Sequence, residues 1–247
     1  MTWTCILCGI AQGEPRGPLE RGAVPCQDCG AVWLHRAIGL VILQGLRLPI
    51  TPFSSLAPDL SRRGLGISDS FPLAAVLGGR FDYVNSWYHR FPRVDLTCVP
   101  EELREQFEFA VCSEVLEHVP PPVEHAVRGI ADLLRPGGFV ALSVPAAGAT
   151  TTEFYPGLAR YEPGDGSVRW ADGAGNWQID DNPEFHAGIG QTLAFRRFGD
   201  GDLAAQLIEA GFAAPEPVTW NDDLGVQPVA FPSVYLVRKR TVARSPT

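Results

Sequence analysis

Lysine is almost absent from this sequence, and positive charge is scarce overall. Of the 20 basic residues only Lys239 is a lysine, and against 28 acidic residues they leave a formal net charge of −8. We attribute the arginine bias to genomic codon usage, because a surface with arginine alone has no obvious single function. The acidic balance argues against a broad phosphate-binding surface, so we do not expect a nucleic-acid partner.

Long hydrophobic runs and a secretion signal are missing as well. The N-terminal sequence MTWTCILCGI lacks the charged and then apolar layout of a signal peptide. The longest apolar run near it, AIGLVILQGL, is too short to span a bilayer. We therefore expect a cytoplasmic protein without membrane contact. With 247 residues, 45% of them hydrophobic, the chain can form one large domain with a small appendage.

Two cysteine pairs of the same form lie near the N-terminus. Cys5 and Cys8 in CILCG, and Cys26 and Cys29 in CQDCG, are each followed by glycine. Two disulfides or a redox pair are alternatives, but in a cytosolic chain this spacing favours one tetrahedral Zn²⁺ site. Four thiolates leave no open coordination position, so the zinc would be structural. We therefore expect His35, on the helix that follows, to be a surface or interface residue and not a fifth ligand.

Beyond residue 61, strand-like and helix-like segments alternate. Apolar segments predict strands at 62–68, 81–85, 93–97, 107–115 and 139–144. Helical periodicity predicts helices at 71–79, 122–134 and 201–212. The segments EPVTW and SVYLVRKR predict a final pair of antiparallel strands. The sum is an open, mostly parallel α/β sheet, in which ligands bind at the carboxyl ends of the strands.

We divide the chain into three parts and an insertion. Residues 1–46 form the zinc knuckle and its helix, 47–61 a linker, and 62–247 the large domain. The insertion, at about 146–199, has no clean periodicity and is rich in aromatic residues. It suits a mostly apolar pocket for an acceptor. A β-hairpin extension packed on itself, or on a second subunit in a homodimer, is the alternative.

Charged residues mark the end of the predicted strand at 107–115. The apolar run ends in Ser113 and Glu114, continues through Glu117 and His118, and stops at three prolines. Carboxylates and an imidazole are costly at the end of a buried strand unless something there uses them. We therefore expect these polar residues to line a ligand crevice. His118 is better explained as a structural hydrogen-bonding residue than as a catalyst.

These residues resemble the class I S-adenosylmethionine-dependent methyltransferases. Residues 107–145 match their pattern of strand, L-E-H, helix, L-x-P-G-G and strand. CQDCGAVWLHRA, GLGISDS, FDYVNSWYHRFPRVDL and FHAGIGQTLAFRRF are similar to zinc-knuckle methyltransferases of bacterial biosynthetic clusters. The resemblance implies a Rossmann-like methyltransferase sheet that uses S-adenosyl-L-methionine. It also implies a small-molecule acceptor, such as a sugar or another secondary-metabolite intermediate.

The resemblance implies that the loop after the first strand contacts the cofactor. In RRGLGISDS, the bare backbone of Gly64 and Gly66 would let the cofactor approach closely, and Ser68 and Asp69 follow. Asp69 would either meet the positive end of the cofactor or cap the helix that begins near Phe71.

Further cofactor contacts are implied at the ends of later strands. Asn85 stands where an acidic residue normally binds both ribose hydroxyls, and it is a weaker, neutral partner. Asp95 and Leu96 would border the adenine. Ser113 and Glu114 would face the methionine part.

Methyl transfer needs an acceptor atom held in line with the methyl group and, where required, the removal of a proton. His186 and His89 are the candidate bases, and Tyr88 and Glu153 are candidate substrate anchors. Two other functions stay open. One is an RNA methyltransferase, since zinc knuckles also occur there. The other is a non-catalytic, zinc-anchored interaction module on a methyltransferase-like fold, suggested by the glycine-poor loop and by Asn85.

Overall fold

The computed structural model describes residues 2–13, 25–186, 192–227 and 233–241. No helix within these ranges has the length and apolar character needed to cross a membrane. The helices are α1 (Trp33–Gly45), α2 (Phe71–Gly78), α3 (Glu124–Leu133) and α4 (Asp200–Glu209). The strands are β1 (Trp3–Thr4), β2 (Ala11–Gln12), β3 (Asp59–Ile67), β4 (Phe81–Ser86), β5 (Phe107–Ser113), β6 (Leu134–Val144), β7 (Thr152–Glu153), β8 (Leu158–Pro163), β9 (Val168–Asp172), β10 (Trp177–Asp180), β11 (Phe185–His186), β12 (Thr192–Leu193), β13 (Arg196–Arg197), β14 (Glu216–Pro217) and β15 (Ser233–Arg238).

A six-stranded sheet forms the centre of the molecule, in the order β14-β15-β6-β5-β3-β4. The four strands from β4 to β6 are parallel, and β15 and β14 add an antiparallel edge. This confirms the predicted open, mostly parallel sheet. The chain leaves β3 for β4 on one side and reaches β5 on the other, so the strand order reverses at β3. Ligands bind at such a switch point, beyond the carboxyl ends of the strands.

The strand predicted at 93–97 does not form. The chain there makes a single bridge, between Trp87 and Arg93, and continues as turns. β4 is therefore the edge of the described sheet on this side. The apolar residues of the segment, Val94 and Leu96, are buried against the neighbouring helix layer and not in a ladder. Burial alone explains their apolar character.

Two apolar layers cover the sheet, and the N-terminal knuckle is part of one of them. α1 packs on β6 and β15, and Gly45 lies so close to the Phe139 ring that a side chain would collide with it. α3 and α4 cover the other face. The segment predicted as a linker packs tightly as well. The Phe53 side chain is fully buried, and its N–H donates to the carbonyl oxygen of Ile6 at 2.8 Å.

The insertion between β6 and α4 has a small core of its own. Strands β8, β9 and β10 form an antiparallel sheet. Tyr155, Trp170 and Phe195 are buried together beside it. The Tyr155 hydroxyl donates to Asp180 Oδ2 at 2.9 Å, which joins the segment before β8 to the last residue of β10. The segment is therefore a folded β extension rather than an irregular lid.

Candidate functional site

A cavity of about 1240 Å³ opens at the carboxyl ends of the parallel strands. Its walls come from five parts of the chain: the end of β3, the loop after β4, the loop after β5, the start of α3, and the insertion. Residues that lie far apart in sequence meet here because parallel strands end at one edge of the sheet. The cavity is larger than the ~300–1,000 Å³ of typical small-molecule sites, so it has room for two ligands.

Four of the predicted cofactor residues line this cavity: Ser68, Asp95, Leu96 and Glu114. Ser68 and Glu114 directly follow β3 and β5 and have the left-handed backbone conformation, with φ of 59° and 56°. Such values are uncommon outside glycine and turn the chain sharply away from the strand. Both parallel strands therefore stop at the cavity wall.

Hydrogen bonds orient the two acidic side chains of the cavity wall, Glu114 and Asp95. Ser113 donates to Ser143 Oγ at 2.9 Å, and Ser143 donates to Glu114 Oε1 at the same distance. Asp95 Oδ1 accepts from the N–H and the hydroxyl of Thr97, at 2.9 and 2.7 Å. Ser113 itself lies off the cavity wall and acts on it through Ser143. The carboxylates of Glu114 and Asp95 are thus oriented before any ligand binds.

The other predicted cofactor residues lie behind the wall. A side chain at Gly64 would collide with the Phe109 ring, and one at Gly66 would collide with Tyr83, Asp69 and Asn85. Close packing within the protein therefore explains both glycines. Neither glycine lines the cavity.

Asp69 and Asn85 bind each other. The Asp69 N–H donates to Asn85 Oδ1, and Asn85 Nδ2 donates to the Asp69 carbonyl oxygen, both at 3.0 Å. The Asp69 carboxylate accepts a hydrogen bond from the Tyr83 hydroxyl. Burial raises the pKa of Asp69 to about 7, although the bond from Tyr83 lowers it. Asp69 makes no side-chain cap for α2, whose N-cap residue is Ser70.

Of the candidate bases and substrate anchors, some line the cavity and one does not. His186, His89 and Tyr88 line the cavity, whereas Glu153 does not. Glu153 Oε1 instead accepts from Nε of the buried Arg196 at 2.7 Å. Sequence reasoning missed Arg196, although the basic pair in FRRF is part of the resemblance.

Arg196 fastens the insertion to the loop after β5. Its Nη1 donates to the carbonyl oxygens of Leu116 and Val119, at 3.0 and 2.6 Å. The Phe195 N–H donates to the carbonyl oxygen of Glu117 at 2.8 Å. The insertion and the Leu-Glu-His turn therefore form one wall.

Sequence reasoning did not connect His118 with His186, yet the two imidazoles touch. His186 Nδ1 lies 3.0 Å from His118 Nε2, across 68 residues of sequence. The buried Glu117 places Oε1 3.5 Å from His118 Nε2 and 3.7 Å from His186 Nδ1. The L-E-H motif was the available signal, but its partner comes from the insertion.

The four cysteine sulfurs converge in the N-terminal knuckle. Cys5 Sγ lies 3.7 Å from Cys29 Sγ, and Cys8 Sγ lies 3.6 Å from Cys26 Sγ. In a tetrahedron with Zn–S bonds of ~2.3 Å the sulfurs are about 3.8 Å apart, so the spacing fits this ion. None of the four is disulfide-bonded. Burial raises the pKa of Cys5, Cys8 and Cys29 to about 11, so the thiolates need a cation beside them.

His35 joins the knuckle helix to the sheet, in keeping with an interface residue. Its Nδ1 accepts from the Val32 N–H at 3.3 Å, and its Nε2 lies 2.8 Å from Ser70 Oγ. Burial, and the charge of Arg36, lower the pKa of His35 to about 4. His35 is therefore neutral at pH 7 and bound to the turn before α2.

Comparison with known proteins points to one family. Residues 55–214 match a family model described as a methyltransferase domain. A ubiquinone biosynthesis O-methyltransferase from Shewanella sp. strain ANA-3 is 44% identical over 43 residues. That match spans 17% of this chain and only 18% of the relative.

Solved structures of methyltransferases are similar as well. An S-adenosylmethionine-dependent methyltransferase from Clostridium acetobutylicum has 10% identity and a TM-score of 0.48, covering 82% of this chain and 90% of that one. An amino pentose methyltransferase from Micromonospora echinaspora has 14% identity and a TM-score of 0.45, covering 85% and 92%. The family match alone spans more than half of the sequence and coincides with β3 to α4. The chain therefore belongs to the methyltransferase domain family.

Proposed function

We propose that this protein transfers a methyl group from S-adenosylmethionine to a small-molecule acceptor. The observation that carries the proposal is the cavity of about 1240 Å³ at the switch point of the sheet. It lies where ligands bind in open α/β sheets, and it has room for a cofactor beside an acceptor. Family membership independently supports methyl transfer.

The cofactor would occupy the side of the cavity formed by the strand ends. When bound, S-adenosylmethionine supplies a methyl group on a positively charged sulfur. Glu114 would bind the methionine part, and Asp95 and Leu96 would border the adenine, as the resemblance implies. Ser68 offers an exposed hydroxyl on the cavity wall directly after β3. No glycine-rich approach is available, because Gly64 and Gly66 are packed against protein.

The acceptor would bind on the side of the insertion. Val119, Pro121 and Phe195 give this side an apolar surface, and His118 and His186 give it polar groups. Such a mix is typical of small-molecule sites. His186 and His89 are the groups that could accept a proton from the acceptor, and Tyr88 could orient it. A sugar or a secondary-metabolite intermediate fits this combination.

Calorimetry with S-adenosylmethionine tests the proposal. We expect 1:1 binding by the wild-type protein. Replacing Glu114 with alanine should weaken binding about tenfold or more, because a charged hydrogen-bond acceptor is lost. Glu162→Ala is the matched control, since Glu162 is an exposed carboxylate whose ion-pair partner is Arg169. Equal effects of both substitutions, or no binding at all, would contradict the proposal.

We also propose that the four cysteines hold one structural Zn²⁺. The support is the spacing of the sulfurs, which fits a tetrahedron, and the engagement of both His35 ring nitrogens by other groups. Elemental analysis should find about one zinc per chain in the purified protein. Zinc that is retained while S-adenosylmethionine fails to bind would favour the non-catalytic alternative. That alternative has its own support, because the Asn85 side chain is engaged by the backbone N–H and carbonyl of Asp69.

A further inference from the structure

Apart from the four cysteines, three side chains that can bind a metal meet at the cavity, two on its wall and one buried behind them. Glu117, His118 and His186 place one carboxylate oxygen and two ring nitrogens 3.0 to 3.7 Å from one another. A point equidistant from three atoms so spaced lies about 2.0 Å from each, which matches the ~2.0–2.2 Å bonds of a divalent cation to imidazole and carboxylate. The triangle therefore has the dimensions of one face of a coordination shell.

The outer nitrogens of the two imidazoles fix which nitrogens face this point. His118 Nδ1 lies 2.8 Å from the Leu193 carbonyl oxygen, and His186 Nε2 lies 3.3 Å from Glu184 Oε1. A carbonyl and an ionised carboxylate only accept hydrogen bonds, so each outer nitrogen carries the hydrogen. The inner nitrogens, 3.0 Å apart, then direct lone pairs toward each other and toward the Glu117 carboxylate. A cation between the three atoms would be bound by these two lone pairs and by the carboxylate.

The surroundings match those of metal-binding histidines. Such histidines usually donate their second N–H to a backbone carbonyl or a carboxylate, which orients the ring. His118 does the first and His186 does the second. Glu184 is held in turn by Arg197, whose Nη2 lies 2.9 Å from Glu184 Oε2. The Glu117 side chain is fully buried, where an ionised carboxylate is stable only beside positive charge or hydrogen-bond donors.

We infer that Glu117, His118 and His186 form a binding site for a divalent cation of the series from Mn²⁺ to Zn²⁺. Two imidazoles with one carboxylate suit these metals better than Mg²⁺ or Ca²⁺, which prefer oxygen ligands. Three protein ligands leave coordination positions open, as in catalytic metal sites. Both imidazoles line the cavity, so water or an oxygen of a bound ligand would complete the shell.

The position of this site narrows the class of acceptor. A cation there would bind an acceptor through a hydroxyl or carboxylate oxygen, and it would make a bound hydroxyl easier to deprotonate. This step rests on the proposed methyl transfer. Cation binding does not, because it depends only on the three ligating residues.

The test is a titration of the zinc-loaded protein with Co²⁺ and Mn²⁺, without S-adenosylmethionine. We expect one equivalent to bind in addition to the knuckle zinc, with a cobalt spectrum typical of nitrogen and oxygen ligands rather than thiolates. His186→Ala and Glu117→Gln should each weaken this binding about a hundredfold. His125→Ala is the matched control, because His125 also lines the cavity but lies outside the cluster. It should bind the cation as the wild type does.

Zinc content and thermal midpoint without added cation establish that each variant folds. Should Glu117→Gln fail to fold, His186→Ala decides, since His186 is partly exposed on a two-residue strand. Absence of an extra equivalent in the wild type would overturn the inference. Equal losses in His125→Ala and His186→Ala would also overturn it. Failure of S-adenosylmethionine to bind would contradict the proposed function alone.

Discussion

The knuckle and the cavity wall each gather ligating side chains, but the chain surrounds them differently. Four cysteines from two tight turns enclose a point from all sides, and their backbones continue into the core through Ile6, Leu7 and α1. The Glu117–His118–His186 cluster encloses its point from one side only and faces the cavity. A closed shell stabilises a fold, whereas an open one can accept a ligand. The two clusters therefore differ in how open they are to a ligand, although both consist of side chains that suit metals.

The largest expected effect is at the knuckle. Cys26→Ser should abolish zinc binding and lower the thermal midpoint by about 10 °C or more, because three thiolates hold the ion poorly and α1 loses its anchor. Metal analysis and calorimetric melting measure this. Cys98→Ser, at an exposed cysteine outside the cluster, is the control. If the knuckle variant melts at the same temperature as this control, the cysteine cluster does not stabilise the fold.

The next effect is at the cavity wall. Arg196→Met should cost about 3 kcal/mol of unfolding free energy, because it leaves two carbonyl oxygens and Glu153 without their buried partner. Urea unfolding measures the loss. Arg169→Met removes an exposed ion pair with Glu162 and should change stability by less than ~1 kcal/mol. Similar values for both would mean that the insertion is not fastened through Arg196.

A smaller effect depends on pH, at the joint between the knuckle helix and the sheet. The pKa of His35 is about 4 in the folded protein and about 6.5 in a free side chain. As pH falls from 6.5 to 4 the unfolded chain binds a proton that the folded chain does not, so stability falls, by up to ~3 kcal/mol. In His35→Gln the unfolding free energy should therefore fall less between pH 6.5 and 4 than it does in the wild type.

Comparing variant with wild type is essential here, because Asp69 acts in the opposite direction. Its pKa, raised to about 7 from a usual 3.8, makes stability fall as pH rises between these values. Unfolding titrations of both proteins from pH 4 to 7 measure the difference. An unchanged slope in His35→Gln would show that this imidazole does not titrate as a buried group.

The smallest expected effect is on cofactor binding, at Asp69. Asp69→Asn should change the affinity for S-adenosylmethionine by less than about twofold, because Asp69 lies behind the cavity wall and its partners are Tyr83 and Asn85. Calorimetry measures the affinity for S-adenosylmethionine in Asp69→Asn and in Glu114→Ala, so that the two losses can be compared. A loss at Asp69 as large as the loss at Glu114 would bring the loop after β3 back into the cofactor site.

The sequence by itself determined the features that depend on neighbours along the chain. The CxxC spacing, the strand–helix–strand crossover at 107–144 and the polar end of β5 at Glu114 are all local patterns, and each lies where it was expected. Periodicity and turn residues report short-range geometry, which the fold retains. The strand predicted at 93–97 was wrong, because a buried segment without a partner strand can have the same apolar sequence pattern as a strand.

Only the tertiary structure decided which polar residues meet. Gly66, Asp69 and Asn85 follow the spacing of a cofactor loop, yet their side of the strand packs against Tyr83 and they bind one another. His118 and His186 come together across 68 residues because Arg196 fastens the insertion to the turn after β5. A side chain's direction and its long-range partner depend on how the whole chain packs, and no local pattern encodes them.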